Sequence, residues 1–319
     1  MRIVFMGTPE FAIPSLKLLL ESKHEIAAVV SAPDKERGRG KQISATPVKT
    51  FAVENNLNVL TPASLEDEMF INQLKEFNAD LFIIVAFKIL PVKVFTIPKY
   101  GSFNLHGSLL PKYRGAAPMQ WALINGETET GVTTFFLEEK VDTGNVILQE
   151  KISIEPTDDL GSLHDKMMMM GADAVLKTVD LIESGNITLS KQNNAEASPA
   201  PKITKDLCKI NWSKSSNEIH NLVRGLSPTP GAFFETGQKK IKVLKTKIFD
   251  ANAGYTGGQF KPDLIPNENR NYDAGTIFES KKEILVKTGD GFLNLTEIQA
   301  EGRKRMSAEE FLRGQSLLS

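Results

Sequence analysis

Seven consecutive apolar residues, Leu81-Phe82-Ile83-Ile84-Val85-Ala86-Phe87, stand between Asp80 and Lys88. The run is far short of the ~18 residues a membrane span needs, and it lacks the alternation of a strand with one wet face. It reads as a strand buried on both sides, and strands of that kind occur in parallel sheets covered by helices. The surrounding chain agrees. Arg2 to Met6 is a short apolar run leaving into Gly7-Thr8-Pro9, where Pro9 suits a first helical turn, and Phe11, Leu16, Leu18, Leu19 and Leu20 then mark a helix. Glu25 to Ser31 and Gly131 to Leu137 are strand-like, and Leu65 to Phe77 is helical. Thr157-Asp158-Asp159 caps a further helix with Leu160, Leu163, Met167, Met170 and Ala174 on one face, and Gly185 ends it. The run Met167 to Met170 is explained by unbranched side chains in a packed helix and receives no function. The expectation is an α/β domain with a mostly parallel sheet.

The texture changes after that helix. Lys191 to Pro201 has almost no apolar periodicity and reads as a connector. Beyond it, short apolar stretches (Ala232–Phe234, Ile241–Leu244, Gly275–Phe278, Ile284–Thr288, Phe292–Leu295) alternate with Gly, Asn and Asp turns, which fits a small β-barrel. Asp250 to Asp273 is a polar loop within it. The reading divides the chain into a domain at 1–188, a linker at 189–208 and a second domain at 209–319. About two domains is also what 319 residues suggest. The net charge of −1 hides an asymmetry. Half of the 38 Lys+Arg but only 14 of the 39 Asp+Glu fall after residue 200. A basic second domain suggests a polyanionic partner, although scattered solvated charge would give the same modest excess.

Several sites are excluded. The turn after the first strand lacks G-x-G-x-x-G, and no phosphate-loop motif occurs. Gly38-Arg39-Gly40-Lys41 is too short for one and has no hydroxyl after the lysine. His24, His106, His164 and His220 are scattered, without H-E-x-x-H, so no metal is expected. There is no G-x-S-x-G. A single cysteine, Cys208, allows neither an internal disulfide nor a thiolate cluster, which suits a reducing cytoplasm. The first residues contain too short an apolar run for a secretory signal, and no membrane partner is expected.

One segment carries chemistry. In Gly101-Ser102-Phe103-Asn104-Leu105-His106-Gly107 the apolar and polar residues alternate, so a strand here puts an amide and an imidazole on one face. Gly107 lets the chain turn away, placing Asn104 and His106 at a strand's carboxyl end, where open α/β sheets bind ligands. Histidine can pass protons near neutral pH, and an amide NH2 can hold a developing oxyanion. A histidine that only hydrogen-bonds its own turn is the plainer alternative. Asp142, in Asp142-Thr143-Gly144 after a strand, would orient the imidazole if it folds beside His106.

Asn104-x-His106, then Ser108-Leu109-Leu110-Pro111-x-Tyr113-Arg114-Gly115, then Asp142-Thr143-Gly144, resembles the signature of the 10-formyltetrahydrofolate-dependent formyltransferases. The opening Phe5 to Ala12, the Ser31 to Lys49 loop and the extra C-terminal part narrow the resemblance to the branch that acts on tRNA, over essentially the whole chain. The resemblance implies a Rossmann-like formyltransferase domain followed by an OB-like β-barrel domain. It implies transfer of a formyl group from 10-formyltetrahydrofolate, the co-substrate, to the methionine α-amine of initiator Met-tRNA, by a monomer. Asn104, His106 and Asp142 would be catalytic. Phe87, Lys88, Ile89 and Leu90 would contact the pterin through backbone groups, and Ser108, Leu109, Leu110 and Pro111 would line the folate site. The loop cations Arg37, Arg39 and Lys41 would enter the acceptor stem. Lys202, Lys205, Lys209, Lys239, Lys240, Lys242, Arg303, Lys304 and Arg305 would neutralise phosphates. A formyltransferase for a small amine, a formyl-folate hydrolase and a non-catalytic RNA-binding module are the competing readings. The length, the basic loop and the barrel argue against the first two, and the intact Asn104, His106 and Asp142 against the third.

Overall fold

The computed structural model describes residues 1–37, 42–237, 239–249 and 272–318, with 36, 37, 42 and 43 described by backbone alone. The chain divides into two units. The first comprises Met1–Pro118, Glu129–Ser153 and Leu163–Pro201. The second comprises Met119–Thr128, Ile154–Ser162 and Lys202–Ser319.

The first unit begins β1 (Arg2–Gly7), α1 (Ile13–Leu20), β2 (Glu25–Val30), β3 (Lys35–Arg37), β4 (Gln42–Ser44) and α2 (Pro47–Glu54). It continues with β5 (Val59–Leu60), α3 (Glu68–Glu76), β6 (Leu81–Val85), α4 (Val92–Phe95), β7 (Ser102–His106) and β8 (Arg114–Gly115). After α5 (Pro118–Ile124), which lies in the second unit from Met119 on, come β9 (Glu129–Phe136), β10 (Val146–Ser153), α6 (Leu160–Ser184, in the first unit from Leu163 on) and β11 (Pro199–Ala200). Seven strands form one sheet in the order β10-β9-β7-β6-β1-β2-β5. The β5-β2-β1-β6-β7 part is parallel. β9 and β10 close the edge antiparallel. Ile3, Val4, Phe5 and Met6 in β1 are all fully buried, and so are successive residues of β6, so both faces of the sheet are covered as the apolar run requires.

Local chemistry sets the helix ends. Thr46 accepts from Lys49 N ahead of Pro47 in α2, and Asp67 accepts from Met69 N at the start of α3. α6 stops at Gly185, whose φ of +71° suits glycine. The strand expected over 80–87 ends at Val85, because Ala86 turns away with φ +49°. The chain first winds outward from β1 to β2 and β5, then returns on the other side to β6 and β7. A ligand crevice therefore opens at the carboxyl ends of β1 and β6.

The stretch expected to be a linker is fastened to the first unit over its first half. Ser190 bridges Val146, Gln192 is 7% exposed, and Pro199–Ala200 pairs with Arg114–Gly115. Its lack of apolar periodicity reflects polar and backbone hydrogen bonding in place of a buried stripe.

The second unit contains α7 (Ser216–Leu226), β12 (Ala232–Thr236), β13 (Lys239–Phe249) and β14 (Ile277–Glu279). It ends with β15 (Ile284–Lys287), β16 (Phe292–Ala300), β17 (Met306–Ser307) and α8 (Ala308–Leu312). The strands pair antiparallel in the order β12-β13-β16-β15-β14, with β17 on β16, as a half-barrel. Ile219, Val223 and Leu226 of α7 join Ile241, Val243, Leu293, Leu295, Ile298 and Phe311 in its core. Residues 119–128 belong here because α7 packs tightly on them: a Cβ on Gly225 would lie 2.7 Å from Ile124 Cγ1.

Candidate active site

β7 sits between β6 and β9, and its last residues reach the open end of the sheet. Phe103 and Leu105 are buried. Asn104 is half-buried, and among the described residues its amide has no protein hydrogen-bond partner. His106 is 6% exposed, with Nε2 2.9 Å from Tyr113 O. A carbonyl only accepts, so Nε2 carries a proton and donates it there. His106 does hydrogen-bond its own turn, but with one nitrogen only. Nδ1 faces Asp142, 4.0 Å from Oδ2, and has no hydrogen bond among the described residues. It is the ring atom left to exchange a proton.

Two sharp turns bring Asp142 there. Tyr113 and Asp142 take φ of +60° and +57°, a region non-glycine residues seldom occupy. Asp142 Oδ2 accepts from Gly115 N at 2.9 Å, and Thr143 Oγ1 donates to Lys140 O at 2.9 Å. Gly144 has no room for a side chain, since a Cβ would lie 1.7 Å from Phe136 O. Gly115 is held as closely, with φ +128° and a Cβ position 2.6 Å from Ala200 O. Gln192 Nε2 donates to Asp142 O and Gly144 O at 3.0 and 2.8 Å, while its Oε1 accepts from Arg114 Nε and Nη2.

The neighbouring segment 108–111 is tied down from β9 and β10. Ser108 Oγ is fully buried and donates to Lys112 O at 2.6 Å. Thr133 Oγ1 donates to Ser108 O and accepts from Leu110 N, and Gln149 Nε2 donates to Leu110 O. Leu110 is buried, leaving Leu109 and Pro111 partly exposed. Beyond β6, Leu90 is buried and Phe87 packs on the core beside it, while Lys88 and Ile89 face outward, Ile89 at 74% exposure. Among the described residues, the N–H groups of Phe87 to Leu90 donate to no protein acceptor. That edge is open to a flat ligand carrying its own donors and acceptors.

The predicted polyanion residues divide by environment. Arg37 lies at the end of β3, and Arg39 and Lys41 fall outside the described residues. Lys202, Lys205, Arg303 and Lys304 are exposed and form no ion pair among the described residues, although the Lys205 charge is felt by Glu235. Lys209 pairs with Glu235 at 2.9 Å, and Arg305 pairs with Glu297. Lys240 Nζ sits 3.7 Å from the Phe233 ring centroid, Lys242 lies along Gly231, and Lys239 donates to Ser316 O. Lys245 and Lys247 on β13 are also exposed and were not among the predicted cations, although their alternation with buried Leu244 and Thr246 is visible in the sequence. Sequence reading also missed Thr133, Gln149 and Gln192, which no spacing marked. Cys208 is buried, and burial pushes its thiol up, so it is no thiolate nucleophile.

Residues 1–179 match the family described as Formyl transferase, and residues 202–316 match Formyl transferase, C-terminal domain. The chain is 45% identical over 315 residues to the methionyl-tRNA formyltransferase of Flavobacterium johnsoniae, covering 98% of this chain and 96% of that one. It is 44% identical over 319 residues to the methionyl-tRNA formyltransferase of Clostridioides difficile, covering 99% and 98%. The solved structure of WlaRD, a sugar 3N-formyl transferase in the presence of dTDP and 5-N-formyl-THF, shares the fold. Its TM-score is 0.66 at 23% identity, over 95% of this chain and 99% of that one.

Proposed function

The chain belongs to the methionyl-tRNA formyltransferase family, and from that premise we propose how its residues divide the work of formylating initiator Met-tRNA. The reaction moves the formyl group of 10-formyltetrahydrofolate onto the α-amine of the esterified methionine, in the cytoplasm where translation begins. The observation that carries the assignment of roles is the meeting of Asn104, His106 and Asp142 at one strand end beside the crevice.

The folate would be held in that crevice, with the open backbone of Phe87 to Leu90 available to pair with the pterin edge and exposed Ile89 beside it. Leu109 and Pro111 flank it. An α-amine has a pKa of ~7.7–8.0, so a useful neutral fraction exists near pH 7. The amine lone pair attacks the formyl carbon, a C–N bond forms, and the carbonyl π pair moves to oxygen. His106 Nδ1 takes the proton the amine gives up, and Asn104 Nδ2–H donates to the oxyanion with that imidazolium beside it. A single preorganised donor of this kind is worth roughly 3–4 kcal/mol. The tetrahedral centre then collapses, and the bond to N10 breaks. N10 takes the proton that the amine gave up, passed through His106 Nδ1. Asp142 balances the imidazolium and keeps Nδ1 aimed at the reacting atoms, while Tyr113 O holds Nε2.

In the second unit, exposed Lys202, Lys205, Lys245, Lys247, Arg303 and Lys304 meet tRNA phosphates. The deciding assay supplies 10-formyltetrahydrofolate with initiator Met-tRNA, elongator Met-tRNA, free methionine and glycinamide ribonucleotide in parallel. Product on initiator Met-tRNA is expected. Product on a small amine, or hydrolysis without an acceptor, would refute the reading. Asn104→Ala should lower kcat by roughly 10²–10³ while tRNA affinity stays near wild type. Equal losses in binding and turnover would remove Asn104 from the chemistry.

A further inference from the structure

The catalytic atoms come from two turns far apart in sequence, and one buried side chain joins them. Gln192 uses its full hydrogen-bonding capacity. Its two N–H bonds point to Asp142 O and Gly144 O, and its carbonyl receives Arg114 Nε and Nη2, at 3.1 and 2.6 Å. Arg114 lies between Tyr113, whose carbonyl holds His106 Nε2, and Gly115, whose N–H holds the Asp142 carboxylate. On one side the amide therefore grips the turn that fixes His106, and on the other the turn that presents Asp142.

Asp142 needs such a grip. Its backbone sits at φ +57°, a left-handed conformation that aspartate tolerates better than most side chains but that still costs free energy unless local bonds hold it. Its carboxylate stands 4.0 Å from Nδ1 without a hydrogen bond to the ring, so nothing between the two side chains fixes their spacing. The two carbonyls that Gln192 binds flank the turn at residues 142 and 144, and the glycine at 144 is already pressed against Phe136. We propose that Gln192 is a positioning residue for formyl transfer: it sets the distance between Asp142 and His106 by fastening the Asp142 turn to Arg114. The inference rests on the roles given above to Asp142 and His106. Gln192 touches neither substrate nor reacting atoms, and it acts through Asp142.

The test is a double-mutant cycle on the full chain. Gln192→Ala removes both grips. Gln192→Glu keeps the acceptor for Arg114 and turns an oxygen that cannot donate onto Asp142 O and Gly144 O, so it repels the Asp142 turn while the Arg114 arm stays, and it tests the catalytic arm if the alanine variant fails to fold. Asp142→Asn supplies the second side of the cycle, its residual rate read in single turnover with enzyme in excess. The expected result is a kcat loss of about 10- to 100-fold in Q192E, the scale of an ångström-sized misplacement, with folate and tRNA KM within about twofold of wild type. In the Asp142→Asn background the same substitution should cost less than about twofold, because residues acting as one unit are not additive. Full additivity, or a loss confined to KM, overturns the proposal and leaves Gln192 as structural glue. A fully active D142N would instead refute the role of Asp142, and it would be seen before the double variant is made.

Discussion

Replacing Gly144 by alanine tests whether the site depends on backbone spacing. The added Cβ would lie 1.7 Å from Phe136 O and 2.9 Å from Phe136 C. Ordinary contacts begin near 3.4 Å, so one side must yield by roughly 1.7 Å, far more than a packed interior absorbs at no cost. Phe136 cannot yield easily, because β9 is paired with β7 on one side and β10 on the other. The Asp142 turn must move instead. Crowding on this scale costs about 1–3 kcal/mol of stability, or a Tm drop of roughly 2–12 °C for a domain near 200 residues. An Asp142 displaced by ~1 Å from a partner 4.0 Å away should lower kcat about 100-fold. Folate KM should change little, because Phe87 to Leu90 lie on another loop. The assay is steady-state formylation of initiator Met-tRNA, with thermal unfolding measured on the same preparation. Gly185→Ala is the control: its φ of +71° strains any side chain, but a Cβ there meets nothing within 4 Å, so stability should fall while kcat holds. A G144A variant with wild-type kcat and wild-type Tm would refute the claim that close packing at Gly144 sets the catalytic geometry.

Other outcomes follow from the second unit. His220 is half-buried with Nδ1 2.8 Å from Thr246 Oγ1, and desolvation, then the nearby Arg224 charge, lowers its pKa from 6.5. The unfolded chain then binds the extra proton more readily, so stability is full above about pH 6.5 and falls below it; His220→Gln should flatten urea-unfolding free energy across that window. Glu218 is held at a pKa of about 2, first by its bond to Lys214 and then by the Ser215 cap. Its contribution is therefore present above about pH 4.5 and lost as pH falls toward 2, and the acid-unfolding midpoint of Glu218→Gln should no longer depend on Lys214. Replacing Lys245 and Lys247 together by alanine should weaken tRNA binding and reduce the slope of log affinity against log salt by roughly 1 per phosphate contact, with formylation kcat at saturating tRNA unchanged. An unaltered salt slope would show that this face of β13 stays clear of the tRNA.

The fold was legible where burial is one-sided in its demands. The β6 run could be nothing but a doubly covered strand, and Asp159 and Gly185 bracket α6 as expected, Asp159 Oδ1 accepting from Ser162 N. The antiparallel edge was harder to see. β10 alternates between half-buried and exposed residues, and its pairing with β9 depends on a turn built on Asp142 and Gly144. The assignment of residues 119–128 to the second unit was hidden, because it rests on long-range packing such as the close approach of Gly225 to Ile124, which leaves no local pattern. In the site, the alternation of Asn104 and His106 was readable from strand periodicity. The approach of Asp142 was not, because it depends on two non-glycine residues at positive φ, which carry no compositional signal.

The two functions of the crevice come from different parts of the backbone, and this explains the shape of the motif. At β6 the chain turns out at Ala86 and leaves N–H groups without partners among the described residues, so a ligand can be held by main-chain atoms whatever side chains stand there. At β7 the neighbouring strand keeps its ladder to His106, so its backbone is committed and only side chains can act. Binding by backbone tolerates side-chain change, whereas the catalytic roles proposed for Asn104 and His106 would not. The glycines at 115 and 144 belong with the second group, since each brings a carbonyl closer than any Cβ would allow. The Asp142-Thr143-Gly144 sequence is therefore a single geometric device. The aspartate supplies charge, the threonine closes the turn on Lys140, and the glycine lets the turn pack against Phe136 O.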